Sequence, residues 1–153
     1  MINSSAILEV NLSNLVFNYK FFKKIAKKSL VAATIKANAY GIGYEVAFNI
    51  LYKNGCRHFF VATLNEGIEL RKKFKKGTIY ILNGLENNKL INFKNLNLIP
   101  IINSKEDILK IKKSKVKFGI HVDTGLNRLG LDDKKTLKSL LNDQYLKIIL
   151  SHL

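Results

Sequence analysis

The sequence predicts an α/β fold built on a parallel sheet. Three observations carry this. Apolar runs of strand length begin near residues 30, 58, 78, 98, 117 and 146. Most are followed by a helical pattern, the alternation that right-handed βαβ units produce. Polar side chains gather at the carboxyl ends of these runs, as Lys36, Asn83, Asp123 and His152. Two architectures share these features, a doubly wound open sheet and a (β/α)8 barrel, and both bind ligands at that edge. The 153 residues suit the first. The second needs eight units, commonly about 250 residues. Periodicity leaves both open.

Ala6–Val10 (AILEV) reads as a short strand. Asn11 or Ser13 can cap a helix over about 12–28, with Leu15, Phe22, Ile25 and Ala26 on its apolar side. The stretch Val31–Gly43 (VAATIKANAYGIG) follows. An apolar run closed by a glycine turn looks like a buried parallel strand, with Lys36 where the chain leaves the sheet. A helix over about 44–53 stops at Asn54-Gly55. The strand at 58–62 (HFFVA) leads to a helix at 64–74, which Gly77 ends. The strand at 78–82 (TIYIL) and a loop at Asn83-Gly84 precede a weaker helix at about 86–93. The strand at 98–102 holds the only proline, Pro100, which argues against a central position. Ser104 and Asp107 resemble a capping pair for a helix to about 113. The strand at 117–122 (KFGIHV), a helix at about 132–142 and the strand at 146–151 (LKIILS) complete the pattern.

Hydrophobic residues make up 47% and charged residues 24%, ordinary values for a globular protein with one real core. No apolar run approaches the roughly 18 residues of a membrane span. The N-terminus lacks the pattern of a signal peptide. The lone cysteine, Cys56, cannot form an internal disulfide and fits a reducing cytoplasm. The net charge is +15, but its lysines lie scattered near the ends of helical patterns, where cations complement the helix dipole. With only Arg57, Arg71 and Arg128 as arginines and no aromatic-plus-basic motif, a nucleic-acid module is not expected.

Two stretches carry chemistry. Lys36 holds an amine above the sheet edge, and a desolvated amine there is a nucleophile towards a carbonyl. Taken alone, it reads more readily as one more lysine capping a strand. Residues 119–131 (GIHVDTGLNRLGL) form a strand end and a glycine-bearing loop with Asp123, Thr124 and Arg128. Arg128 is a rigid fork for a carboxylate or phenolate, or else the partner of Asp123 in a salt bridge. His152 follows an apolar strand and by itself reads as an ordinary strand-end histidine.

Together these residues resemble a family. KANAYGIG is similar to the pyridoxal-phosphate attachment motif of alanine racemases, usually KANAYGHG, and HVDTGLNRLG resembles their second motif, KVDTGMGRLG. The closing LSHL stands where the family has a short histidine segment, and AILEVNLSNLVFNY resembles its opening. The resemblance covers the whole chain. It implies a (β/α)8 TIM-like barrel, here incomplete, with about six βα units after an N-terminal strand and helix. Residues 1–153 would be the N-terminal cofactor-binding domain, without the β-rich C-terminal domain of a cytoplasmic homodimer. It implies interconversion of L- and D-alanine, supplying D-alanine for peptidoglycan. Lys36 would hold pyridoxal 5'-phosphate as an internal aldimine and act as base on one face of the substrate. Tyr40 would contact the cofactor phosphate, Arg128 its phenolic oxygen and the substrate, and His152 the pyridine ring. No metal, membrane or nucleic-acid partner is implied. The second acid/base would be a tyrosine of the partner subunit's C-terminal domain.

Three departures stand out. His121 occupies the place of a lysine that is carbamylated in many members; Ile42 and Asn127 replace a usual histidine and glycine. The last two barrel strands are missing, so the chain reads as the N-terminal part of a longer enzyme, inactive by itself, with apolar sheet edges exposed. A pyridoxal-phosphate barrel protein that does not racemise, and a basic binding domain without activity, are the alternatives.

Overall fold

The structure, a computed structural model, describes residues 6–86 and 89–152. Six strands form one parallel sheet in sequential order: β1 (Ala33–Thr34), β2 (His58–Val61), β3 (Thr78–Ile81), β4 (Leu98–Ile102), β5 (Phe118–Val122) and β6 (Leu146–Ser151). A doubly wound sheet reverses its strand order at a switch point; this one never does. The sheet is therefore the arc of a (β/α) barrel, with β1 and β6 at its edges.

Helices α1 (Leu12–Ile25), α3 (Tyr44–Lys53), α4 (Leu64–Lys73), α5 (Leu90–Asn95), α6 (Lys105–Lys112) and α7 (Lys134–Leu140) alternate with the strands. A short left-handed turn, α2 (Lys36–Tyr40), interrupts the series. Local chemistry sets the helix starts. The side chain of Asn11 accepts from the Asn14 N–H, that of Ser104 from Asp107, and that of Asp133 from Lys135. Thr63 and Glu66 form a reciprocal capping box on α4.

Alternate strand residues feed two apolar layers. One, with Phe59, Ile79, Ile81, Leu98, Ile102 and Ile120, packs beneath the helices against Phe48, Leu70 and Phe93. The Phe48 ring lies 4.2 Å from that of Phe59 and 4.1 Å from that of Phe74. The other, Tyr80, Ile99 and Ile101 with Phe60, Leu82, Ile148 and Leu150, is made of strand residues and the residue after β3, and forms the inner face. Gly119 lies between these walls, where a Cβ would come within 2.5 Å of Ile148 and 2.6 Å of Ile101. At the amino end of the sheet the buried Arg71 guanidinium donates to the carbonyls of Phe74, Lys76, Gly77 and Asn97, joining α4 to the entries of β3 and β4.

Several sequence expectations are corrected. Ala6–Val10 is not a strand: its residues are exposed, Ile7 by 94%, and among the described residues no strand pairs with it. β1 is only two residues long, because an edge strand has one neighbour and Leu30 lies outside the core. α1 stops at Ile25, and Lys27 takes positive φ. The helix expected at 86–93 is α5, which begins at Leu90; residues 87 and 88 lie outside the described residues. Pro100 sits in a fully buried central strand, in register with Ile81, and pairing with β5 begins one residue later at Ile101. Asp107 does not close a capping box; its carboxylate faces the Leu85 N–H at 3.4 Å and Lys110 at 4.0 Å.

Candidate active site

The chain leaves β1 with the Ile35 N–H bonded to the Phe60 carbonyl at 2.8 Å. It then winds the wrong way. Ala37, Asn38, Ala39 and Tyr40 all have φ between 50° and 55°, followed by Gly41 at 90°. Each non-glycine residue in this region costs roughly 1–2 kcal/mol, so surrounding bonds must impose the turn. The Ala37 N–H donates to Glu66 Oε1 at 2.7 Å, and that of Ala39 to the Ile35 carbonyl at 3.0 Å. Asn38 closes the far side: its carbonyl accepts from Gly43 at 2.9 Å and its Oδ1 from the Tyr44 N–H at 2.9 Å. Ala39 is buried beneath the turn. Lys36 is half-buried and Tyr40 exposed, and both line one cleft above the inner face. Lys36 therefore opens a left-handed turn rather than extending the strand.

The facing wall comes from β5, β6 and the loop between β5 and α7. Asp123 Oδ1 accepts from the Gly125 N–H at 2.9 Å and the Asn127 N–H at 3.1 Å, which holds its carboxyl below the usual carboxylate range. The Leu131 N–H donates to the His121 carbonyl at 2.8 Å, and the Asp123 N–H to the Leu131 carbonyl at 3.1 Å. Gly130 is needed at this crossing: a Cβ there would lie 2.7 Å from the Asp123 nitrogen, and its φ is 123°. The Asp123 carboxylate is thus spent on its own loop. Among the described residues no carboxylate stands within ion-pair distance of Arg128. Arg128 lines the cleft, as does His152, whose carbonyl faces the Thr124 hydroxyl at 3.5 Å.

His121 lies buried in the β5 wall of the same cleft. Burial pushes its imidazole below the usual histidine range; His152 and Arg128 push the same way, and Asp123 opposes them.

All four sequence-predicted site residues, Lys36, Tyr40, Arg128 and His152, therefore meet in one cleft of about 470 Å³, floored by Phe60, Leu82 and Leu150. Among the described residues no acidic side chain lines it. An amine, a phenol, a guanidinium and two imidazoles converge on an apolar floor, a donor set for an anionic, carbonyl-bearing ligand. Glu66 escaped the sequence reading. Its carboxylate accepts not only from Ala37 but also from Ala62 at 2.7 Å and Thr63 at 3.1 Å. The signal available was the capping-box spacing of Thr63 and Glu66, which says nothing about the long-range bond.

Comparison with known proteins points to one family. The profile of the family described as alanine racemase, N-terminal domain, matches residues 10–152. A curated alanine racemase of Rickettsia prowazekii is 37% identical over 98% of this chain and 40% of its own length. That of Rhizobium meliloti is 39% identical over 89% of this chain and 37% of its own. The chain thus spans about two fifths of the length of these curated relatives. The solved alanine racemase of Bartonella henselae, with covalently bound pyridoxal phosphate, superposes with a TM-score of 0.81 at 33% identity, over 94% of this chain and 44% of its own. A histidine racemase of Leuconostoc mesenteroides shares the fold, with a TM-score of 0.83 at 22% identity. By the match over residues 10–152 and these identities, the chain belongs to the alanine racemase N-terminal domain family.

Proposed function

We propose that this chain is the cofactor-holding barrel part of an isomerase that interconverts L- and D-alanine, with pyridoxal 5'-phosphate carried on Lys36. The observation that carries the reading is the convergence of Lys36, Tyr40, Arg128 and His152, brought from three separated segments into one cleft. Family membership supports it, as does the covalently bound cofactor of the Bartonella relative.

The donor set fits that cofactor. There is an amine for an aldehyde, a phenol and a guanidinium for anionic oxygens, and no carboxylate in the wall to repel a phosphate. When bound, pyridoxal phosphate supplies an aldehyde for the amine and a ring that spreads the negative charge developing at the substrate α-carbon. Lys36 Nζ would be the attachment point, and its free amine would take or return the α-proton on its own face. The Tyr40 hydroxyl would donate to the phosphate. The Arg128 fork would hold the phenolic oxygen and the substrate carboxylate by paired hydrogen bonds. His152 would pack on the ring. Phe60, Leu82 and Leu150 give the cleft an apolar floor.

Racemisation needs a second proton-transfer group on the opposite face. We assign it to the partner subunit of a homodimer. Residues 10–152 match the N-terminal domain of that family, and the chain spans about two fifths of these curated relatives' length. Phe22 of α1 is exposed and lines an apolar groove against β1 together with Leu15, Val31 and Ile35. The D-alanine would serve peptidoglycan synthesis in the cytoplasm, a compartment that suits the single buried thiol of Cys56.

The test is borohydride reduction of the protein mixed with pyridoxal phosphate, followed by peptide mass mapping. A pyridoxyl group on Lys36, lost in Lys36→Ala, is the expected result. A well-folded sample without label at Lys36 would favour a basic binding domain. Label together with an inert complete enzyme in an alanine racemisation assay would favour a cofactor-handling barrel.

A further inference from the structure

We infer that Glu66 is a positioning residue for Lys36, holding the amine in the cleft by imposing the left-handed turn. This rests on the reading of Lys36 as the cofactor attachment point. One carboxylate at the start of α4 gathers three backbone N–H groups from two segments. Ala62 and Thr63 lie just past the carboxyl end of β2; Ala37 lies 29 residues upstream, directly after Lys36. The bond to Ala37 joins the attachment turn to the neighbouring βα unit.

The turn needs such an anchor. Four consecutive non-glycine residues hold positive φ, a conformation their side chains resist. A carboxylate bonds N–H groups more strongly than a neutral acceptor. Its place at the first turn of α4 also matches the positive end of that helix dipole. Glu66 does not line the cleft, and its side chain makes no hydrogen bond to Lys36 or Tyr40. Its influence therefore runs through the backbone: without the Ala37 bond, the segment can relax towards right-handed φ and swing the Lys36 amine and the Tyr40 ring out of their shared cleft.

Helix capping alone would not predict this. Thr63 belongs to the same capping box, its hydroxyl accepting from the Glu66 N–H at 3.2 Å, yet it does not touch the turn. The pair of substitutions Glu66→Gln and Thr63→Ala therefore separates the two roles. Glu66→Gln keeps the side-chain size but replaces one accepting oxygen by a donating amide facing backbone N–H groups.

Two readouts are compared on folded protein, with thermal melts confirming the fold. The first is hydrogen exchange of the Ala37–Gly43 amides, which needs no cofactor. The second is the rate of pyridoxyl trapping at Lys36 by pyridoxal phosphate and borohydride. Expected for Glu66→Gln is exchange in the turn at least about ten times faster, and trapping about ten times slower, a factor of ten being about 1.4 kcal/mol. Expected for Thr63→Ala is a lower melting temperature with both readouts within about twofold of the parent. Unchanged readouts in Glu66→Gln, or an equal change in Thr63→Ala, would overturn the inference. Failure of the unmodified protein to trap the cofactor at Lys36 would overturn the reading beneath it instead.

Discussion

His121 is a residue whose chemistry depends on its surroundings. It is 6% exposed in the β5 wall, and its imidazole lies below the usual value of 6.5 because burial and the nearby His152 and Arg128 disfavour a second positive charge. A histidine depressed in the fold binds fewer protons there than in the unfolded chain. It therefore contributes stability above pH 6.5 that is lost as the pH falls towards its folded value. Urea unfolding from pH 7.5 down to 5 is expected to show this decline, and His121→Gln to flatten it. A parent and variant with parallel pH curves would remove His121 as the cause. The same charge balance bears on function. A protonated His121 would add a cation beside Arg128, so trapping at Lys36 should respond to pH differently in the variant.

At the scale of an element, the left-handed turn α2 stores strain that sequence substitutions can release. Ala37 is exposed, whereas Ala39 is 3% exposed. Glycine adopts positive φ freely but loses more entropy on folding. Ala37→Gly is accordingly expected to raise the unfolding free energy by about 0.5 kcal/mol. Ala39→Gly gains the same relief and loses a buried methyl worth about 1 kcal/mol, so it should be neutral or destabilising. Chemical denaturation of both variants checks the pair; an Ala37→Gly variant no more stable than the parent would mean that φ strain is not what distinguishes this turn. The turn also shows where sequence reading stops. Nothing in Ala-Asn-Ala-Tyr favours left-handed backbone except the asparagine, and its decisive bond comes from Glu66 on another unit. The strands beginning near 58, 78, 98, 117 and 146 were legible because hydrophobic runs and glycine or asparagine stops are local signals. Barrel arc against doubly wound sheet was not, since the two differ in strand order, a long-range property. The short apolar run of Ala6–Val10 resembled a strand, but a strand also needs a neighbour. Lys36, Tyr40, Arg128 and His152 were legible through their motifs, while their convergence in one cleft is a product of the sheet.

For the molecule as a whole, the arrangement of the cleft bears on the proposed proton transfer. Lys36 reaches the cleft from the turn after β1, at one edge of the sheet, and Arg128 and His152 from the other side. One amine transfers a proton on one face of a bound amino acid only, and inversion requires delivery to the other face. We therefore expect the 153-residue polypeptide, given pyridoxal phosphate in heavy water, to replace the α-proton of one enantiomer of alanine by deuterium and to leave its configuration intact. Lys36→Ala should abolish that exchange. Chiral separation with mass detection reads both quantities from one sample. Racemisation keeping pace with exchange would mean that the second proton-transfer group lies within these residues. His121 and His152, the two imidazoles in the cleft wall, would then be the first to substitute.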